Sequence, residues 1–234
     1  MAAIDLGVMQ RLDPWLGDCR LQFFQQADRT IHQGGSRAPF KLLRAEDGEN
    51  GRCEIPLLHT AGGLVGGDQL NISLDLGANS RSLITSVAAQ KVYGSIGRSH
   101  LSPQGSWAQQ QVNCRLSSNS DLEWLPQELV VYADALYEQQ LTVRLPENAS
   151  FLGAEIVRLG RTAAGETLQQ GRWRSALSIQ RVNENSSAPQ RWELVDRLEL
   201  GNASLHDLHG LQHQPVFGSL VWAAPMPLQD EAIR

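Results

Sequence analysis

The segment His59-Thr60-Ala61-Gly62-Gly63-Leu64-Val65-Gly66-Gly67-Asp68 stands out from the rest of the chain. Two glycine pairs so close together are costly in backbone entropy, so each is expected to serve a conformation that other residues avoid. A glycine-rich stretch first suggests a phosphate cradle. That chemistry needs GxGxxG or Gly-Lys-Ser/Thr leading into a helix, so that backbone N–H groups converge on the anion. This stretch has neither motif, and it runs into an alternating pattern at Leu70. Two readings remain. One is a tight double turn feeding a strand; the other is a turn that presents Asp68 and His59 to a partner or a metal ion.

Two other carboxylates fall where apolar residues belong. Trp192, Leu194, Leu198 and Leu200 mark one face of a strand, and Asp196 shares their register, while Glu193, Arg197 and Glu199 take the other face. Glu155 shares a face with Phe151, Val157 and Leu159, and Arg158 lies opposite. An inward carboxylate requires an arginine, hydrogen bonds, a metal or water. It is therefore either half of a buried ion pair or part of a wet passage where a divalent cation could pause and leave. His206, His209 and His213 would share one face of a helix and could bind a transition metal there. Against this, His209-Gly210 is a poor helix interior, which favours a surface loop.

No familiar catalytic motif is visible: GxSxG, HExxH and CxxC are all absent. The chain is expected not to be an enzyme. Cys19, Cys53 and Cys114 are odd in number and far apart. That pattern suits a reducing compartment better than a disulfide framework or a zinc site.

These residues must be positioned mainly by strands. Leu70, Ile72, Leu74 and Leu76 alternate with polar residues, Gly77-Ala78-Asn79-Ser80 turns, and 81–87 reads as a return strand. Leu141, Val143 and Leu145 alternate in the same way, Pro146-Glu147-Asn148 turns, and 151–159 resumes. Residues 173–182 and 191–200 form a further pair around the polar loop 183–190. Short helical turns are expected only at 88–93 and 205–213, the second capped by Asn202 or Ser204. The fold class expected is mainly β, with stacked antiparallel or mixed sheets forming a scaffold with one or two short helices. No fixed-period repeat is visible, and residues 1–234 read as a single domain.

Composition agrees. Of 234 residues, 41% are hydrophobic and 19% charged, enough apolar material for a core, and 21 glycines and 10 prolines imply many turns. The net charge of -5, with no basic run, argues against nucleic acid as a partner. No run approaches the roughly 18 apolar residues of a membrane helix, and the first ten residues lack the pattern of a signal peptide. A cytoplasmic location is expected. One alternative is a β-sandwich that binds a sugar on Trp107, Trp124, Trp173 and Trp192, although tryptophans of this kind commonly pack in a core. Another is a hydrolase using His59 and Asp68.

Taken together, these segments resemble the urease accessory protein family UreD (UreH). The stretch from His59 to Asp68 is similar to that family's His, two glycine pairs and Asp. Thr85 to Tyr93 resembles its run of small residues followed by Lys, a hydrophobic residue and Tyr. Leu122 to Glu128 is similar to its LEWLPQE, and 152–161 with Gly165-Glu166 to its later acidic, Leu-Gly-Arg and Gly-Glu elements. The resemblance implies a non-catalytic, β-rich scaffold. Such a scaffold binds UreF and, through it, the GTPase UreG, docks on the urease structural subunits, and helps deliver transient nickel to them. It also implies an internal passage, with Asp68, Glu155 and Asp196 at positions bearing acids. Weak, labile carboxylate and water ligands suit a site that must release its ion. Two positions depart from the family: Gln69, where relatives often carry a second acid, and Gln90, where they carry a small polar residue or Thr. The chain also ends short of the family's usual C-terminal extent.

Overall fold

The strands follow from strict alternation: in residues 69–76 Leu70, Ile72, Leu74 and Leu76 are all buried while the residues between them are not. The computed structural model describes residues 14–182 and 190–226. In chain order the strands are β1 (Leu16–Gln26), β2 (Arg29–Arg37), β3 (Phe40–Leu42), β4 (Glu46–Asp47), β5 (Cys53–His59), β6 (Gln69–Leu76), β7 (Arg81–Ser86) and β8 (Gln90–Val92). They continue with β9 (Ala108–Leu116), β10 (Asp121–Leu125), β11 (Leu129–Val131), β12 (Leu136–Leu145), β13 (Ser150–Leu159), β14 (Arg172–Arg181), β15 (Arg191–Gly201) and β16 (Val216–Ala223). The mainly β, stacked-sheet expectation holds, and both sheets are mixed.

The first sheet runs β15-β14-β12-β9-β6-β1-β2; the second has nine strands, with β5, β7, β10 and β13 side by side and β16 added to β13. In the first, β1, β6, β9, β12 and β14 are parallel neighbours, and only β2 and β15 pair antiparallel. In the second, β5, β7, β10 and β13 are likewise parallel. The return strand expected after Ser80 therefore exists, but it returns in the facing sheet. So do the strands after Asn119 and Asn148. Parallel neighbours need a long crossover, usually a helix; here the crossover is a strand of the other sheet, giving a flattened coil.

One end of this coil is closed by three matched turns, each a strand-ending leucine followed by four residues. Leu76-Gly77-Ala78-Asn79-Ser80, Leu116-Ser117-Ser118-Asn119-Ser120 and Leu145-Pro146-Glu147-Asn148-Ala149 stack on one another. Asn79 and Asn119 sit at φ 62° and 57°, a left-handed conformation that asparagine tolerates better than most residues. Asn119 donates from Nδ2 to Asn79 Oδ1 at 3.3 Å, and Asn148 donates to Asn119 Oδ1 at 2.9 Å. The next position in each turn is buried: Ser80, Ser120 and Ala149. The Ser80 and Ser120 hydroxyls each donate to a turn carbonyl at 2.7 Å. Arg181, only 3% exposed, seals the stack by donating to the Pro146 and Ala149 carbonyls at 2.8 Å and pairing with Glu193.

Between the sheets lies one apolar cluster that includes Phe23, Ile55, Leu74, Trp124, Tyr137, Phe151 and Trp173. All three cysteines are free and buried in it. Burial pushes the Cys19 thiol up to about 12 and the Cys53 thiol up to about 11, so both behave as small hydrophobes.

Two local expectations are corrected. Residues 88–93 hold no helical turn; Gln90–Val92 is a strand because Leu129–Val131 offers it a parallel partner. The single α-helix of the described residues, α1, spans Asn202–His206, earlier than read, with the Gly201 N–H donating to Ser204 Oγ at 3.1 Å. It ends where Asp207 turns to extended backbone, and Gly210 lets the following loop pack on it, since a Cβ there would lie 2.0 Å from the Ser204 carbonyl oxygen. The paired strands around residues 183–190 are β14 and β15, antiparallel as expected; most of the loop itself lies outside the described residues.

Candidate functional site

The glycine stretch crosses from β5 to β6, and therefore from one sheet to the other, at the end of the coil opposite the asparagine turns. The backbone explains its composition. Gly62, Gly63 and Gly67 have φ of 76°, 150° and 102°. A Cβ on Gly63 would come within 2.6 Å of the Tyr93 ring, and one on Gly66 within 2.7 Å of the Ser106 carbonyl. Leu64 is stitched to the β8 edge, its N–H to Lys91 O at 2.8 Å and its carbonyl to Tyr93 N–H at 2.9 Å.

Asp68 is 1% exposed, and both carboxylate oxygens are occupied. Oδ1 accepts the Trp15 N–H and Oδ2 the Val65 N–H, each at 2.9 Å. This carboxylate fixes the crossover and ties it to the start of β1. No hydrogen bond joins it to His59 among the described residues. His59 is half-buried, packs edge-on against Phe40 at 6.1 Å, and keeps a buried Nε2 without a partner. Burial lowers its pKa, against the opposing pull of Asp68.

His59, Gly62 and Gly63 line a cavity of about 230 Å³ between the sheets. Most of its wall is apolar, including Leu57, Ile72, Val112, Trp124, Leu129, Phe151 and Leu177. A polar belt interrupts that wall. In β9, β12, β13, β14 and β16 the inward register brings one polar residue each to the cavity among apolar neighbours: Gln110, Gln139, Glu155, Ser175 and Ser219. Gln139 lies directly between Gln110 and Ser175 in one sheet, and Glu155 opposite Ser219 in the other.

Glu155 is the centre of this belt. The Gln139 side-chain amide donates across the gap to its Oε2, the Ser219 hydroxyl reaches its Oε1 at 3.4 Å, and Gln139 also reaches Ser175 Oγ at 3.3 Å. Burial raises the Glu155 pKa, and the nearby Asp196 charge adds to it, while the two hydrogen bonds pull the other way. Burial, and to a lesser extent the same carboxylate, push the Tyr137 phenol upward. No arginine pairs with Glu155 among the described residues, so the ion-pair reading of this acid does not apply. The alternation in β12, followed back from Leu141, exposes Gln139; the same exercise finds Gln110, Ser175 and Ser219.

Asp196 was expected to point inward. Its register is the inward one, opposite Leu177, yet it is exposed, because β15 is the outermost strand of its sheet. Trp192 departs for a different reason. A bulge shifts the pairing from Ile179–Leu194 to Gln180–Trp192, which turns Trp192 to the outer face with 56% exposure. The three acids therefore occupy three settings: a sealed crossover, a cavity wall and a rim. The described residues contain no cluster of three or more metal-ligating side chains. Nor do the four tryptophans form a row: Trp124 and Trp173 are core, and Trp107 lies under the Arg174 guanidinium at 4.2 Å.

Other residues of the sequence motifs are structural. Glu166 accepts the Ala133 N–H at 2.7 Å and Arg161 Nε at 2.6 Å, and Arg161 stacks on Tyr132 at 4.7 Å, pinning the connection from β13 to β14. Arg52 bridges Glu54 and Glu123 at 2.6 Å, linking β5 to β10 of the Leu-Glu-Trp segment.

Comparison with known proteins places this architecture. The family model of the UreD urease accessory protein matches residues 16–234. The "Urease accessory protein UreD" of Synechococcus sp. (strain WH7805) is 71% identical over 230 residues, covering 96% of this chain and 72% of that protein. Its counterpart in Parasynechococcus marenigrum (strain WH8102) is also 71% identical, over 96% of this chain and 71% of its own length. That of Prochlorococcus marinus (strain MIT 9303) is 56% identical, over 94% and 75%. No helix among the described residues is long and apolar enough to cross a membrane. On the family match and on these relatives, the chain belongs to the UreD urease accessory protein family.

Proposed function

We propose that this chain is a non-catalytic scaffold in urease activation, and that it helps deliver nickel to the urease structural subunits through the cavity between its sheets. In this reading it recruits UreF, and UreG through UreF. The observation that carries the delivery role is Glu155, an acid on the cavity wall held by two side-chain donors and by no cationic side chain among the described residues. Burial favours its protonated form. An arriving dication would displace that proton and take the carboxylate, and reprotonation would release it. Gln139, Ser175 and Ser219 offer neutral oxygens or donors around it, the weak and labile set that a passing ion needs. His59, its pKa lowered by burial and its Nε2 without a partner among the described residues, flanks the mouth formed by the glycine stretch. Asp196 on the rim adds negative charge that draws cations toward the opening. Asp68 serves the passage indirectly, by holding the crossover whose Gly62 and Gly63 line it.

The test is co-expression with urease subunits, UreF and UreG, reading urease activity and bound nickel. Glu155→Gln keeps the shape and hydrogen-bonding capacity of the site but removes the charge. The expected result is a several-fold loss of nickel in urease with normal recovery of the UreF complex. Full activation by Glu155→Gln would end the conduit role and leave a docking scaffold.

A further inference from the structure

We propose that His206 and His213 form a surface site for a divalent transition-metal ion, distinct from the cavity. The chain leaves β15 through α1, whose last residue is His206, and doubles back before β16. Backbone hydrogen bonds close the loop onto the helix: Leu211 N–H to Ser204 O at 2.8 Å, and His213 N–H to Leu205 O at 2.5 Å. Leu205 is buried beneath it. Gln212 and His213 both sit in left-handed backbone, at φ 47° and 65°. Neither is a glycine, and left-handed backbone is costly for such residues. The loop holds that strain while bringing two exposed imidazoles together, their rings tilted by 54° with centroids 4.7 Å apart.

The distance between the rings selects a chemistry. The two Nδ1 atoms are 2.9 Å apart. Two nitrogens each about 2.1 Å from one ion would be about 3.0 Å apart at a right angle, but about 3.4 Å at the tetrahedral angle. The pair therefore matches adjacent positions of an octahedral or square-planar ion better than a tetrahedral zinc site. In the metal-free state the same nitrogens share a hydrogen bond, and binding replaces that proton with the ion. Two ligands leave the other positions to water or to a partner protein, so the site is open and exchangeable. His209 is not part of it. The site lies on the segment that leads into β16, whose Ser219 reaches Glu155, but it does not depend on Glu155 passing an ion.

Calorimetry with Ni2+ on the untagged full chain tests the assignment. His206→Gln and His213→Gln should each weaken one binding event by about tenfold or more, since loss of even an outer-shell partner costs about 10–100-fold. His100→Gln, at an exposed histidine in another loop, should leave it unchanged. Wild-type binding by the double variant H206Q/H213Q would overturn the proposal, and so would equal weakening by His100→Gln. In the wild type, Ni2+ should shield His206 and His213, but not His100, from diethyl pyrocarbonate. Equal labelling with and without the ion would also overturn it. Co2+ should give the weak visible absorption of six-coordination; an intense tetrahedral spectrum counts against the geometry assigned.

Discussion

Asp68 and Glu155 are both carboxylates largely withdrawn from water, and they are held in opposite ways. Asp68 sits at the crossover, and both of its oxygens accept backbone N–H groups. Glu155 sits on the cavity wall, and both of its oxygens accept side-chain donors. A backbone amide cannot turn away without unfolding its segment. An amide or hydroxyl on a side chain can rotate, and a cation can take its place. The contrast separates an acid committed to the fold from an acid available for exchange, a distinction that burial alone does not make.

The largest effect should come from breaking the committed one. Asp68→Ala orphans the Trp15 and Val65 N–H groups and should cost about 2–3 kcal/mol, measured by chemical denaturation. A cost below about 0.5 kcal/mol would mean that these amides find other partners, and the contrast would fail. Next comes the closed end of the coil. Asn119→Ala removes both side-chain bonds of Asn119, at 3.3 and 2.9 Å, and forces alanine into left-handed backbone. We expect about 1–2 kcal/mol of destabilisation, with Asn119→Gly recovering the backbone part.

The smallest effect has the opposite sign. Glu155 has a folded pKa above its unfolded value, so its contribution is fully present below about pH 4.5 and is lost as pH rises through the raised folded value. Glu155→Gln removes that loss. The variant should match the wild type in acid and be more stable at pH 7, by less than either loss above. Thermal unfolding across that range decides it; a variant less stable at pH 7 would place Glu155 with Asp68 as a structural acid.

Much of this was legible from residue order. Alternation located β6, β12, β13 and the β14–β15 pair, and the glycine spacing marked the crossover. The inward register of Glu155 was readable because its neighbours Phe151 and Leu159 are firmly apolar. What alternation cannot express is which sheet a strand joins. A four-residue turn serves a hairpin and a crossing to the facing sheet equally well, so the parallel pairing of β6 with β9 was invisible. The three asparagine turns carry a repeat, Leu-x-x-Asn followed by a small residue, but their unequal spacing hid it from any search for a fixed period. Asp196 misled for a related reason: register gives the face of a strand, while exposure depends on what lies over that face. Trp192 was lost to a single skipped pairing partner at the bulge.

The asymmetry of the coil's two ends bears on how such a chain can change over time. Each stacked turn between β6 and β7, β9 and β10, and β12 and β13 is bonded sideways to the next, so an inserted residue in one would break its match with its neighbours. The connections at the far end, such as 93–107 and 160–171, are longer and have no such matched stack. Insertions, deletions and new recognition loops should therefore gather around the opening of the cavity, where they can retune what enters or docks without disturbing the framework that keeps the cavity in shape.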